Sequence, residues 1–346
     1  MSTIRDNQSH TNIYRYFLIP LALVFCFVGC NYQRECILSG RTMGTSYHIK
    51  YNAGLFFDHQ DLKYNIAKTL KEINHSMSTF DSESEISKFN QMKDITKPLS
   101  ISDPFFQVMK KAHHLYQITH GAWDGTVKPI VNLWGFGHTK HQLQKPDESQ
   151  IEQYLKQVGF QNIMIKDHQL QKKIPDLNLN LASIAKGFGV DQVAIVLNNH
   201  GIESYLVEIG GEVFAKGKKI DGSFWRVGIN RPQIDANIND VYFAISLQDQ
   251  AIATSGDYRN YFIDGKTRYS HVIDPKTGRP VTNGVVSVSV ISDKCTFADG
   301  LATALMVMGP ESGIALVNGI ADTECLMIQE NGNDFELYYS DHFPRE

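Results

Sequence analysis

Cysteine is scarce in this chain of 346 residues, with five present, at positions 26, 30, 36, 295 and 325. Cys26 lies inside an N-terminal apolar run and Cys30 closes it. The other three are too few and too far apart for a disulfide framework or a zinc site. A Cys295–Cys325 bridge and two buried free thiols both fit their spacing. An excess of positive charge is also missing: the formal net charge is −4 and no basic run stands out, so a nucleic-acid partner has no support. The apolar run at 17–28 falls short of the ~20 residues of an ordinary membrane span. No internal repeat of solenoid period and no low-complexity block divides the chain.

What the N-terminus does contain is Arg5 and Arg15, then the uncharged run, then Gly29-Cys30. Charged residues, a short apolar core and a small residue before cysteine make a signal peptide. Val28, Gly29 and Cys30 resemble a bacterial lipobox, with Phe27 bulkier than the leucine usual at its position. Residues 1–29 are therefore expected to be removed and Cys30 to carry lipid. A plain N-terminal membrane anchor is the competing reading. A diacylglyceryl group plus an N-acyl chain exceeds the single chain that gives only marginal binding. The expected location is the bacterial cell envelope, facing the periplasm or exterior, with a tether over 30–40 and one domain over 41–346.

The rest alternates between helical and strand patterning. Residues 31–58 read as a strand pair and 61–77 as a helix. A second helix over 104–119 opens on Ser102-Asp103-Pro104, a good cap signal. Residues 137–147 read as a polar surface loop and 148–158 as a short helix. A helix over 184–198 closes at Asn199-His200-Gly201. Strands then dominate, at 205–209, 224–229, 242–247, 251–254, 269–273 and 285–291. Helices over 299–308 and 311–317 precede a last hairpin, 324–329 with 335–339. Strands covered by flanking helices make an α+β layered body.

Several segments carry chemistry. Asp299 and Thr303 stand four apart on a helix and so share a face. A carboxylate beside a hydroxyl suits a hard cation such as Mg²⁺. His271 lies in Ser270-His271-Val272-Ile273-Asp274-Pro275, where it can serve as a general base. Asp274 either orients it or builds a turn. Asn180-Leu181-Ala182-Ser183-Ile184-Ala185-Lys186-Gly187 opens a helix whose free N–H groups favour phosphate. Gly121-Ala122-Trp123-Asp124 either holds a flat ring or packs a corner. Glu208-Ile209-Gly210-Gly211 either brings backbone to a ligand or merely turns.

These segments, with Thr42-Met43-Gly44-Thr45 and Ser255-Gly256-Asp257-Tyr258, occur in an order that resembles the ApbE family over about residues 40–320. Its members are bacterial FAD:protein FMN transferases. The resemblance implies an α+β, ApbE-type layered fold with T-fold-like lobes and mixed or antiparallel sheets. It implies that FAD is the substrate, that its FMN half passes to a threonine or serine hydroxyl of a target flavoprotein, and that AMP leaves. Asp299 and Thr303 match the family's Mg²⁺ ligands, with the Ser183 carbonyl completing the site. Met43, Trp123, Asp124, Asn180, Lys186, Glu208 and Ile273 fall where FAD is lined. His271 matches the base, with Asp299 as its catalytic companion through the metal. The targets implied are subunits of membrane redox complexes of the sodium-translocating quinone reductase or Rnf type.

One departure is local. Where the family usually has Asp-Leu-Gly, this chain has Asn180-Leu181-Ala182, which demands a backbone that tolerates a Cβ. Two alternatives belong to other classes: an Mg²⁺-dependent FAD pyrophosphatase, with water as acceptor, and a non-catalytic FAD-binding lipoprotein. The metal pair argues against the second.

Overall fold

The computed structural model describes residues 33–137, 145–232, 241–257, 261–265, 267–332 and 334–345. The signal segment, Cys30, Tyr258 and most of the expected 137–147 loop lie outside them. The chain opens with β1 (Gln33–Thr42) and β2 (Thr45–Gly54), joined by Met43-Gly44. Both joining residues have positive φ, 49° and 75°, as a two-residue hairpin of matching twist requires. The expected tether over 30–40 is therefore corrected: its residues from 33 onward belong to an edge strand, and only 30–32 precede it.

Helix α1 (His59–Met77) begins two residues earlier than periodicity suggests because the Asp58 carboxylate accepts from the N–H groups of Gln60 and Asp61. There follow α2 (Glu85–Gln91), β3 (Leu99–Ser100), α3 (Asp103–Ile118), α4 (Lys128–Leu133), α5 (Glu148–Leu155), β4 (Ile163–Lys166) and β5 (Gln169–Lys172). Ser102 caps α3 as its sequence indicates. The small β3-β5-β4 sheet went unforeseen, since strands of two to four residues carry too little alternation to read.

The centre is α6 (Ala182–Asn199), followed by β6 (Tyr205–Ile209), β7 (Glu212–Lys216), β8 (Trp225–Asn230), β9 (Val241–Leu247) and β10 (Gln250–Gly256). After these come β11 (Tyr261–Asp264), β12 (Thr267–Ser270), β13 (Ile273–Asp274), β14 (Arg279–Pro280) and β15 (Val285–Ser292). The chain ends with α7 (Cys295–Met308), α8 (Pro310–Val317), β16 (Glu324–Asn331) and β17 (Asp334–Tyr339). Eight strands form one sheet, β1-β2-β6-β7-β10-β15-β16-β17, and every pairing in it is antiparallel.

α6 and α7 cover one face of this sheet, and their apolar side chains join those of α1 and α3 in the main core. The β8-β9 hairpin covers the other face, with Trp225, Ile229, Ile245 and Leu247 against Val286, Ile291 and Ile328. β15 is accordingly buried along its whole length. A bulge between Val285 and Ser287 resets which of its side chains meets which layer. Cys295 and Cys325 are free and buried, so the bridge is not made. Among the described residues no helix is long and apolar enough to cross a membrane.

Candidate active site

The first turns of α6, the middle of α7 and the 271–275 segment meet at a cleft of about 390 Å³. α6 contributes Ser183 and Lys186, α7 contributes Asp299 and Thr303, and His271 and Ile273 come from the third segment. Trp123, Asp124 and Lys128 form another wall, and Asn180 precedes α6 at the rim. Residues separated by more than a hundred positions are thus brought together by the packing of two helices.

A glycine permits that packing. A Cβ on Gly187 would lie 2.4 Å from the Cys295 carbonyl oxygen and 2.8 Å from Asp299 Cβ. Without it, the Gly187 N–H reaches Asp299 Oδ2 at 2.9 Å. The residue before α7, Lys294, makes no side-chain cap. Instead the Asp191 carboxylate of α6 accepts from the N–H groups of Cys295 and Thr296, at 2.9 and 3.0 Å, and from the Thr296 hydroxyl. That explains why α7 begins four residues before its expected start at 299.

The electrostatics centre on Lys186. Its ammonium meets the Glu212 carboxylate of β7. Burial opposes the Lys186 charge, but Asp299 and Glu212 around it outweigh this and hold its pKa above the ordinary lysine value. Burial raises the Asp299 carboxyl, with Lys186 and the Gly187 N–H working against that rise. Burial, then the nearby Asp299 charge, push Glu212 well above the usual carboxylate range. Glu212 Oε2 is buried without a hydrogen-bond partner, on a side chain that lines the cleft. A wall containing an orphaned carboxylate oxygen and a lysine is built to meet a polar ligand.

The remaining expected residues divide. Asn180 Oδ1 accepts from the Ala182 N–H at 3.0 Å, and the Asn180 N–H donates to the Gly125 carbonyl at 2.7 Å. Ala182 starts α6 and has no positive φ, so its Cβ is tolerated. Trp123 donates from Nε1 to Ser183 Oγ at 3.1 Å and meets Phe160 edge-on. It is 1 % exposed, which makes it a wall rather than an open stacking platform. Asp124 also lines the cleft, but its oxygens are committed to the N–H and hydroxyl of Thr126 and the N–H of Phe160.

His271 sits between β12 and β13, where the strand expected over 269–273 is broken, with its ring edge-on to Phe136. Asp274 is occupied in a turn, accepting from the Lys276 N–H and the Thr277 hydroxyl. These bonds give it the turn-building role. Met43 and Glu208 are placed away from the lining residues. The Met43 methyl packs near Gly189, and Glu208 holds His48 Nδ1 at 2.8 Å and the Gly211 N–H at 2.7 Å.

Glu212, Lys128 and Ser255 line the cleft without having been singled out for it. Glu212 follows Gly210-Gly211, whose positive φ values of 63° and 105° turn the chain so that Glu212, not Glu208, reaches the wall. The glycine pair was the available signal. Ser255 Oγ lies 3.1 Å from Thr303 Oγ1.

Among the described residues no group of three or more His, Cys, Asp or Glu gathers as a metal site. The expected metal donors, the Asp299 carboxylate, the Thr303 hydroxyl and the Ser183 carbonyl, all belong to residues that line the cleft. Mg²⁺ commonly takes one or two carboxylates and completes its shell with water and substrate phosphates. The donor set fits a cation shared with a phosphate-bearing substrate.

The sequence profile of the ApbE family matches residues 43–327. The chain belongs to the ApbE family. Its relatives include an FAD:protein FMN transferase of Vibrio cholerae, 44 % identical over 332 residues, covering 95 % of this chain and 98 % of the relative. The solved flavin transferase ApbE from Vibrio cholerae superposes with a TM-score of 0.82 over 90 % of this chain and 99 % of that one, at 44 % identity. The apo flavinyl transferase ApbE of Pseudomonas stutzeri gives 0.80 at 33 % identity, over 90 % and 97 % of the two chains. The matched span begins at the β1–β2 turn and ends in β16, so every cleft residue of this ApbE chain falls within it.

Proposed function

We propose that this ApbE protein is an Mg²⁺-dependent FAD:protein FMN transferase. The observation that carries the reading is the convergence of Asp299, Thr303, Ser183, Lys186 and His271 on one cleft. Phosphoryl transfer asks a protein mainly for positioning and charge stabilisation. Asp299, the Thr303 hydroxyl and the Ser183 carbonyl would hold Mg²⁺, which supplies charge neutralisation on the FAD diphosphate.

The chain's own groups do the rest. Lys186 would meet the remaining phosphate oxygens, since in the first α6 turn the Ala182 N–H is held by Asn180 and those of Ile184 and Ala185 by the Leu181 carbonyl. His271 takes the proton of the acceptor hydroxyl, whose oxygen bonds the FMN phosphorus while the bond to the AMP phosphate breaks. AMP leaves with the electron pair. The flavin is cargo and changes no oxidation state. Trp123, Asp124, Asn180 and Ile273 shape the FAD-facing walls, while Met43 packs near Gly189 of α6 and Glu208 holds the Gly211 N–H next to Glu212. The acceptors would be flavoprotein subunits of membrane redox complexes, of the quinone reductase or Rnf type. The protein would reach them from the envelope membrane, held by lipid on Cys30.

Intact mass of an acceptor domain, after incubation with the protein, FAD and Mg²⁺, tests this reading. A gain of one FMN that disappears with EDTA is the expected result. Release of AMP and FMN without that gain would favour the pyrophosphatase. Asp299→Ala is expected to abolish Mg²⁺-dependent turnover, and full activity in that variant would remove the metal assignment. His271→Ala should slow transfer about 10²–10⁴-fold while leaving FAD binding nearly unchanged. An unaltered rate would remove the base.

A further inference from the structure

The β1–β2 hairpin has two ends with different surroundings. At one end Thr42 pairs with Thr45, and a Cβ on Gly210 would lie 2.8 Å from Thr45 and 3.2 Å from Lys186, a residue of the cleft. At the other end Gln33 pairs with Gly54, and the next two residues are Leu55 and Phe56. Leu55 is 57 % exposed and Phe56 94 %. Isolated apolar side chains on a surface need no explanation. Two in succession, at the tip where the N-terminal segment enters the fold, are a different matter.

The tip is also a built turn. The Phe57 N–H donates to the Gly54 carbonyl at 3.2 Å. Phe57 packs inward against the rings of Tyr51 and His59, and the Tyr51 hydroxyl meets His59 Nδ1 at 2.7 Å. Asp58 then caps α1. With Phe57 half-buried against those rings, the two side chains before it are left exposed at the turn.

We propose that Leu55 and Phe56 seat in the lipid surface beside the anchor and so set the orientation of the enzyme on the bilayer. This rests on the reading of Cys30 as the lipidated residue. Cys30 and Gln33 are three residues apart, which even fully extended spans only roughly 10 Å. That is comparable to the depth of one headgroup layer, about 5–8 Å. Gln33 therefore lies at the membrane surface, and Gly54, its antiparallel partner, lies about 5 Å away. Aromatic and aliphatic side chains at that depth find the apolar boundary they lack in water.

Ten residues per strand separate this end from the Thr42–Thr45 turn, a rise of roughly 30 Å. The hairpin is then a strut, with the bilayer at one end and the cleft at the other. An acceptor is flavinylated on a hydroxyl presented up to roughly 30 Å from the lipid surface.

The test uses the mature lipidated chain in vesicles of phosphatidylethanolamine and phosphatidylglycerol, with bromine on the acyl chains of part of the lipid. The three native tryptophans, Trp123, Trp134 and Trp225, are buried, so a Phe56→Trp variant adds one exposed indole against a constant background. Intact mass first establishes the lipid on Cys30. The expected result is a blue-shifted indole at position 56, quenched by bromolipid and protected from aqueous iodide. A lipidated variant whose new indole stays iodide-accessible and unquenched would overturn the proposal, leaving the tip to a protein partner. Absence of lipid on Cys30 would overturn the anchor and this proposal with it, and the mass distinguishes the two failures.

Discussion

Lys172 shows how a single buried charge is accommodated. It lies on β5, 3 % exposed, with its ammonium donating to the carbonyls of Asn90, Met92 and Pro175 and lying over the Phe89 ring. Burial lowers its pKa from 10.5 to about 8. Between those values the unfolded chain holds the proton and the folded chain has released it. Stability therefore rises with pH across that window, because the unfolded state binds more protons. Lys172→Met should lose this rise when unfolding free energy is measured from pH 8 to pH 10.5. It should also lower stability by about 1–3 kcal/mol at neutral pH, since the carbonyls lose their donor. A slope that survives the substitution would assign the effect elsewhere.

At the scale of elements, the pairing of α6 with α7 decides whether a metal site exists. Asp299 and Thr303 are set by their spacing on α7, but the distance of α7 from Ser183 is set by Gly187. Gly187→Ala would press a methyl into the Cys295 carbonyl, a contact that backbone cannot relieve by changing rotamer. Overpacking of this kind costs about 1–3 kcal/mol, and the displacement falls on Asp299. The expected outcome is a folded, less stable protein with a markedly raised Mg²⁺ requirement, read from AMP release against Mg²⁺ concentration. Asp191→Asn acts on the same joint from the other side. An amide cannot accept from all three donors at the start of α7, so melting should drop by an amount equivalent to about 1–3 kcal/mol. An unchanged melting curve would show that α7 holds its position without the cap.

For the whole molecule, the cleft draws walls from both helices above the sheet, from β7 and β10 within it, and from the 122–128 and 271–275 loops. A ligand that touches all of them resists unfolding as one body. FAD at a hundred times its dissociation constant would add about 2.7 kcal/mol. For a domain of roughly 300 residues, at an unfolding entropy of about 2.1 cal/mol/K per residue, that corresponds to a melting rise of roughly 4 °C, with a cooperative transition retained. No shift on adding saturating FAD, by calorimetry, would remove the cleft as the flavin site. In the proposed orientation the β1–β2 strut would hold the bilayer and the chemistry at opposite ends of one hairpin.

Local pattern alone determined the helices whose apolar period is strong and whose caps are adjacent in sequence, as at Ser102. It also determined the Asp299–Thr303 pair, because four-residue spacing places two side chains on one helical face wherever the helix is. It determined the motif order that identifies the family. Only the tertiary structure decided which glutamate faces the cleft, since two positive-φ glycines reverse the chain between Glu208 and Glu212. It decided that Asp124 and Asp274 lock loops, because their donors fold back from neighbouring turns. It moved the start of α7 to Cys295, because the capping carboxylate comes from a residue about a hundred positions away. The physical reason is common to all of these. Periodicity and spacing act within a few residues, whereas the placement of a polar side chain depends on partners that only the packed fold brings within hydrogen-bond distance.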